Sequence, residues 1–251
     1  MNGLLILLMA AAQSPERVGV DQRIGDRIPL DLVLREETGA PITLRQAADG
    51  NAFILAPVYY GCPQLCTLIL NGLLTCLKGI DRPIQVVTFS FDPREDAALA
   101  AAKKAAYLKR DDRPGAQRRW RFLTGDRPAL DALCRAVGYR TSFDERTGRF
   151  AHPSALIVVA PDGRISRYFF GIEYPSRDLR LAIAEASEGK TGSIVDPVLL
   201  FCFQYDPETG RYGLAVLRLV RGAGVATAIV VGLGILGLAR RHRRSKAVPP
   251  E

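Results

Sequence analysis

Phe53-Ile54-Leu55-Ala56-Pro57-Val58-Tyr59-Tyr60-Gly61-Cys62-Pro63-Gln64-Leu65-Cys66 is the stretch around which this chain is organised. The apolar run Phe53 to Tyr60 reads as a buried strand, and Gly61 breaks it. Pro63 suits a first helical turn, and the apolar residues from Thr67 to Leu77 continue as a helix. Two thiols therefore stand at a strand-to-helix turn. With a helix starting at Pro63, Cys62 lies at its cap and Cys66 one turn later on the same side. Backbone N–H groups at a helix N-terminus favour a thiolate, which is both a nucleophile and a soft metal ligand.

Three residues separate these cysteines, whereas thioredoxin-type redox motifs have two. That spacing fits two thiolates on one ion at least as well as a dithiol tuned for exchange. The bland alternatives are a structural disulfide or two buried thiols. Buried cysteines are usually inert packing, but a loop-to-helix turn behind a glycine is not a typical core position.

A third donor comes from elsewhere. The chain has two histidines, His152 and His242, and His242 lies in a basic tail. His152 immediately precedes Ala155–Val159, which reads as a strand. Thiolates select Cu(I), zinc or iron–sulfur, and imidazole suits copper and zinc. Zinc wants a fourth donor and an iron–sulfur cluster four cysteines. Copper tolerates the set Cys62, Cys66 and His152. Cys76 and Cys134 lie on helices among leucines and read as packing. Cys202 reads equally as an auxiliary ligand or mixed-disulfide partner, or as a half-buried free thiol. Asp92-Pro93 ends a strand and shapes a turn, and the charges from Asp111 to Arg119 read as a solvated face.

At 251 residues and 48% apolar composition, the chain suits one domain with appendages. Arg240, Arg241, Arg243, Arg244 and Lys246, against Glu251, supply half of the net charge of +8. A basic charge concentrated in a tail argues for membrane topology, and the body carries no nucleic-acid footprint. Residues 1–12 end in Ala10-Ala11-Ala12 and read as a signal peptide. Residues 13–26 read as a mobile lead-in, 191–213 as a linker, 214–239 as a transmembrane helix and 240–251 as a basic cytoplasmic tail. The uncharged core of that helix is Gly222 to Ala239. The positive-inside rule then puts the 20–190 domain on the periplasmic or outer face of the inner membrane.

Within that domain a hairpin around Glu36–Gly39 comes first. Then follow the Phe53 strand and cysteine helix, an Ile84–Phe91 strand, a surface helix Glu95–Leu108, and a Trp120–Leu123 strand. A Pro128–Val137 helix, an Ala155–Val159 and Ile165–Phe170 hairpin and an Arg177–Ala186 helix complete it. Strands alternating with helices imply an α/β sheet with parallel early strands. The order resembles a thioredoxin-like fold with an N-terminal β-hairpin extension.

Over about residues 20–190 the chain resembles the Sco/SenC family. The resemblance is carried by Tyr60-Gly61-Cys62-Pro63-Gln64-Leu65-Cys66, Ser90-Phe91-Asp92-Pro93, Trp120-Arg121-Phe122-Leu123-Thr124-Gly125 and His152 ten residues before Asp162-Gly163. It implies that Cys62, Cys66 and His152 bind copper as Cu(I) or Cu(II). It also implies a copper chaperone that delivers copper to the copper-site subunit of a respiratory haem–copper oxidase, as in cytochrome c oxidase assembly. The alternative is a thiol–disulfide reductase keeping that client's cysteines reduced, with Cys62 and Cys66 as the redox pair. The chain departs from the family pattern at Thr67, where a second proline is common, at Ala151, where an Asp is frequent, and in carrying its expected anchor at the C-terminus.

Overall fold

The computed structural model describes residues 18–62 and 65–192, together with 205–206, 211–212, 224, 225, 227, 229, 231 and 232. The chain forms two compact units, Met1–Asp196 and Pro197–Glu251.

In the first unit β1 (Gly19–Val20), β2 (Val33–Arg35) and β3 (Pro41–Thr43) lead to α1 (Leu44–Ala48). The short α1 is closed by a capping box between Thr43 and Gln46, a signal the sequence carries openly. Then come β4 (Phe53–Val58), α2 (Leu65–Lys78), β5 (Gln85–Ser90), α3 (Ala97–Leu108), α4 (Ala116–Arg119), β6 (Trp120–Leu123) and α5 (Arg127–Ala136). The unit ends with β7 (Tyr139–Arg140), β8 (Ser142–Asp144), β9 (Arg149–Ala151), β10 (Ala155–Val159), β11 (Ile165–Phe170) and α6 (Ser176–Ser187).

Five strands form the central sheet in the order β11-β10-β4-β5-β6. β4, β5 and β6 run parallel, while β10 is antiparallel to both β4 and β11. Every residue of β4, β5 and β10 is buried, as the unbroken apolar runs of β4 and β10 require of strands covered on both faces; in β5 the buried Gln85, Thr88 and Ser90 side chains are hydrogen-bonded. This is the thioredoxin-like α/β fold, and the β2–β3 hairpin is its N-terminal extension.

The register positions the functional end of the sheet. Val58 and Ser90 pair at the C-terminal ends of β4 and β5. Ile157 pairs with Leu55 in the antiparallel sense. Continuing that register past the end of the ladder puts residue 152 opposite residue 60. The loop before β10 therefore meets the turn after β4.

The cysteine helix is held close from behind. A Cβ built on Gly72 of α2 would stand 1.7 Å from the Ile172 carbonyl oxygen, so no side chain fits there. Ser176 Oγ–H donates to the Cys76 carbonyl at 2.8 Å. On the other flank Tyr107 of α3 stacks on Trp120 and Phe122 of β6, at 5.8 and 6.1 Å between centroids. Cys76 is buried and Cys134 half-buried, and burial pushes both thiols up, Cys134 to about 12. Both suit the packing role.

Several expectations change. Part of the expected mobile lead-in is ordered: β1 pairs with β7, and Asp21 N–H donates to the Gly138 carbonyl at 2.8 Å. Gly138 has φ +64°, and a Cβ there would stand 2.0 Å from the Asp21 oxygen, so glycine is what admits this edge pairing. Glu95 lies outside α3, which begins behind the Asp96 N-cap. Nor is α3 wholly a surface helix, since Lys104 is buried against Glu37. The Asp111–Arg119 stretch is not simply a solvated face either. The Asp111 carboxylate is buried and accepts from Trp120 Nε1–H at 2.7 Å and from Arg113 Nε and Nη2 at 2.7 and 2.6 Å.

In the second unit, β12 (Tyr205–Asp206) pairs with β13 (Arg211–Tyr212). Residues 224, 225, 227, 229, 231 and 232 are helical. Among the described residues no helix is long and apolar enough to cross a membrane. Residues 1–12, 240–251 and Cys202, and most of 214–239, lie outside the described residues.

Candidate metal centre

The turn after β4 is bound to the sheet by one carboxylate. Glu95 accepts from the Tyr60 and Gly61 N–H groups, each at 2.6 Å, and from Ser90 Oγ–H at 2.5 Å. The two backbone N–H groups just before Cys62 are therefore spoken for. Nearby, Asp92 is buried and accepts from Arg94 Nε at 2.8 Å and Nη2 at 2.6 Å. Asp92 thus shapes the turn, as expected, with Arg94 as its partner. Arg94 also lies over the Phe143 ring of the β8–β9 hairpin, 4.7 Å from its centroid.

Cys62 and Cys66 are both buried, and His152 is half-buried. His152 Nε2 stands 3.4 Å from Cys66 Sγ and 3.9 Å from Cys62 Sγ. The three donor atoms lie within 4.8 Å of one another and form a possible metal site. The structure thus brings together all three residues singled out in the sequence. The start of the helix at Pro63 lies outside the described residues, and Cys66 falls in the first turn of α2.

One electrostatic expectation changes at Cys66. The turn was expected to favour thiolates, yet the Cys66 thiol is pushed well up. Burial is the largest cause and the Cys62 side chain adds to it; the Tyr59 N–H, which donates to Cys66 Sγ at 3.3 Å, does not compensate. A cation arriving in the site has to displace that proton.

Aromatic rings wall the centre. The His152 ring packs 5.6 Å from Tyr59, edge to face, and 5.4 Å from Phe91. Phe150 packs on Tyr59 and Phe91 in turn. Behind the imidazole, His152 Nδ1 faces the Pro153 carbonyl at 3.0 Å and Tyr139 Oη at 3.2 Å. A pocket of about 280 Å³ opens beside the site, lined by Tyr59, Gly61, Asp92, Arg94, Glu95 and Arg149 among others. Sequence reading missed Glu95 and Tyr139. Their partners lie 35 and 13 residues away, and no local pattern marks either.

The donor set fits a soft ion. Two sulfurs and one imidazole nitrogen suit Cu(I), and among the described residues no carboxylate belongs to the group. Three protein donors also leave a bound ion open to ligand exchange.

A family model described as SCO1/SenC matches residues 22–186. The SCO1 protein homolog of Bacillus subtilis (strain 168) is 22% identical over 179 residues, 68% of this chain and 86% of that protein. Among solved structures, a protein of Aquifex aeolicus VF5 proposed to transfer electrons matches with a TM-score of 0.59 at 25% identity, over 66% of this chain and 95% of that one. Arabidopsis thaliana ScoI, solved with copper bound, matches with a TM-score of 0.50 at 16% identity, over 66% and 99% of the two chains. That last likeness is one of fold.

Proposed function

The chain belongs to the SCO1/SenC family, and we propose that it is a copper carrier in which Cys62, Cys66 and His152 hold one ion as cargo for a respiratory haem–copper oxidase. The observation that carries this reading is the convergence of two sulfurs and one imidazole nitrogen within 4.8 Å. Copper is also the ion bound in Arabidopsis thaliana ScoI. Loading would release the Cys66 proton, and burial of both sulfurs keeps water from competing for the ion. A client's own thiolates would then take over the ion one donor at a time, and the proton would return to Cys66. The client proposed is the copper-site subunit of the oxidase, in keeping with the Sco/SenC resemblance.

The topology proposed with it is a single-pass protein of the inner membrane. Residues 1–12 direct export, 20–190 form the carrier domain on the periplasmic or outer face, and 191–213 are the linker. Residues 214–239 span the bilayer, and 240–251 remain cytoplasmic. The uncharged run Gly222–Ala239 followed at once by Arg240–Lys246 supports it.

A second reading is favoured by the closeness of the two sulfurs. They lie near enough for Cys62 and Cys66 to reduce a client disulfide through a mixed disulfide. Two electrons and two protons would pass to the client, leaving a Cys62–Cys66 disulfide. Anaerobic copper loading of the reduced full chain separates the two. The carrier reading expects one copper per chain and weaker binding in His152→Ala. No stoichiometric copper, or binding indifferent to His152, would overturn it in favour of the dithiol.

A further inference from the structure

We propose that Tyr139 is a positioning residue for His152: its hydroxyl, bonded to the Pro153 carbonyl and facing Nδ1, joins that carbonyl in holding the imidazole in the Nδ1–H form, so that the Nε2 lone pair faces Cys62 and Cys66. The inference rests on reading those three residues as the copper site, and it goes beyond that reading by naming what orients the third donor.

The hydrogen-bond inventory decides the protonation pattern. The Pro153 carbonyl can only accept. It takes Tyr139 Oη–H at 2.7 Å, the shortest contact of the cluster. A tyrosine hydroxyl has one proton, so toward His152 Nδ1, 3.2 Å away, Tyr139 can then only accept. Nδ1 also faces the Pro153 carbonyl at 3.0 Å. Both neighbours of Nδ1 are acceptors, and Nδ1 carries the ring proton. Nε2 is left bare, pointing at the two sulfurs at 3.4 and 3.9 Å. Were the hydroxyl to donate to Nδ1 instead, Nε2 would carry the proton and could not bind a metal.

The position of Tyr139 is itself well anchored. Its side chain is buried and its ring packs 5.7 Å from Phe91, which also packs on His152. Its backbone lies in β7, paired to Val20 of β1. The otherwise unremarkable edge strand at the start of the domain thereby holds the residue behind the ligand. Outer partners of this kind set the orientation and basicity of metal-bound histidine, and their loss typically costs about 10–100-fold in affinity.

The test compares wild type with Tyr139→Phe in the full chain, which keeps the ring and removes the hydroxyl. Nitrogen-15 chemical shifts of the His152 ring are read in the metal-free protein, with His242→Gln in both to leave a single imidazole. Wild type is expected to show the Nδ1–H form, and Tyr139→Phe, in which the Pro153 carbonyl still accepts from Nδ1, a displaced Nδ1 shift and a larger Nε2–H share. In the copper-loaded proteins, release of Cu(I) to a competing chelator is expected to be about tenfold faster in the variant. Unchanged ring shifts together with unchanged release would overturn the proposal, because a packing role alone survives in phenylalanine. If the variant fails to fold, the wild-type spectrum decides, and an Nε2–H form there overturns it. If wild type takes up no copper, the carrier reading fails while the ring shifts still judge Tyr139.

Discussion

Replacing Glu95 by alanine should loosen the cysteine turn, by an amount that can be worked from its contacts. Glu95 accepts from Tyr60 N–H, Gly61 N–H and Ser90 Oγ–H. Gly61 is exposed and regains water, so its loss is small. Ser90 is buried but has the Asp92 carbonyl at 3.4 Å as an alternative acceptor. Tyr60 is buried and its N–H would be left without an acceptor, at about 1–3 kcal/mol. With the loss of a charged acceptor from the other two, the total comes to about 2–4 kcal/mol. At a urea dependence of about 2 kcal/mol per molar, the unfolding midpoint falls by about 1–2 M. Trp120 is the single tryptophan of the chain and is fully buried, so its fluorescence reports this unit alone. Glu95→Gln keeps one acceptor oxygen and should fall between the two. A midpoint for Glu95→Ala within about 0.3 M of wild type would refute the idea that this carboxylate binds the turn to the sheet.

Two other substitutions test the frame around the site. Asp111→Ala removes the carboxylate partner of Arg113, which keeps only the Leu77 carbonyl among its described acceptors, strands the Trp120 N–H, and should cost about 3 kcal/mol at neutral pH by urea unfolding. Burial alone would push the Asp111 carboxyl up, but the hydrogen bonds from Arg113 and Trp120 and the Arg113 charge hold it below the usual range. Its contribution is therefore complete above the unfolded value of about 3.9 and is lost as pH falls through the lower folded value. The gap between wild type and Asp111→Ala should close along that acid limb, and a gap independent of pH would contradict the assignment. Gly72→Ala gains about 1 kcal/mol of helix propensity but sets a methyl against the Ile172 carbonyl, so the net effect should be a lower urea midpoint; a higher one would show that α2 can shift away.

The elements legible in the sequence were those whose own composition declares them. Phe53–Val58 and Ala155–Val159 are apolar throughout because both faces are covered, Gln85–Ser90 carries Val86, Val87 and Phe89 among buried Gln85, Thr88 and Ser90, and each was read within a residue or two. Cys62, Cys66 and His152 were legible because few side chains offer their chemistry. What escaped depends on which side chains the fold closes over one another. Gly19–Val20 looks like tail until Tyr139–Arg140 lies beside it. Asp111 and Lys104 look like surface charges until Trp120, Arg113 and Glu37 close over them. The raised Cys66 thiol is likewise a property of burial, which a helix N-terminus in isolation does not reveal.

The central claim is the identity of the donors, and copper K-edge X-ray absorption on the Cu(I)-loaded full chain tests it most directly. The account predicts two sulfur scatterers and one nitrogen scatterer per copper, with the nitrogen lost in His152→Ala and a sulfur lost in Cys62→Ser or Cys66→Ser. A first shell of sulfur alone in wild type, or one unchanged by His152→Ala, would contradict it.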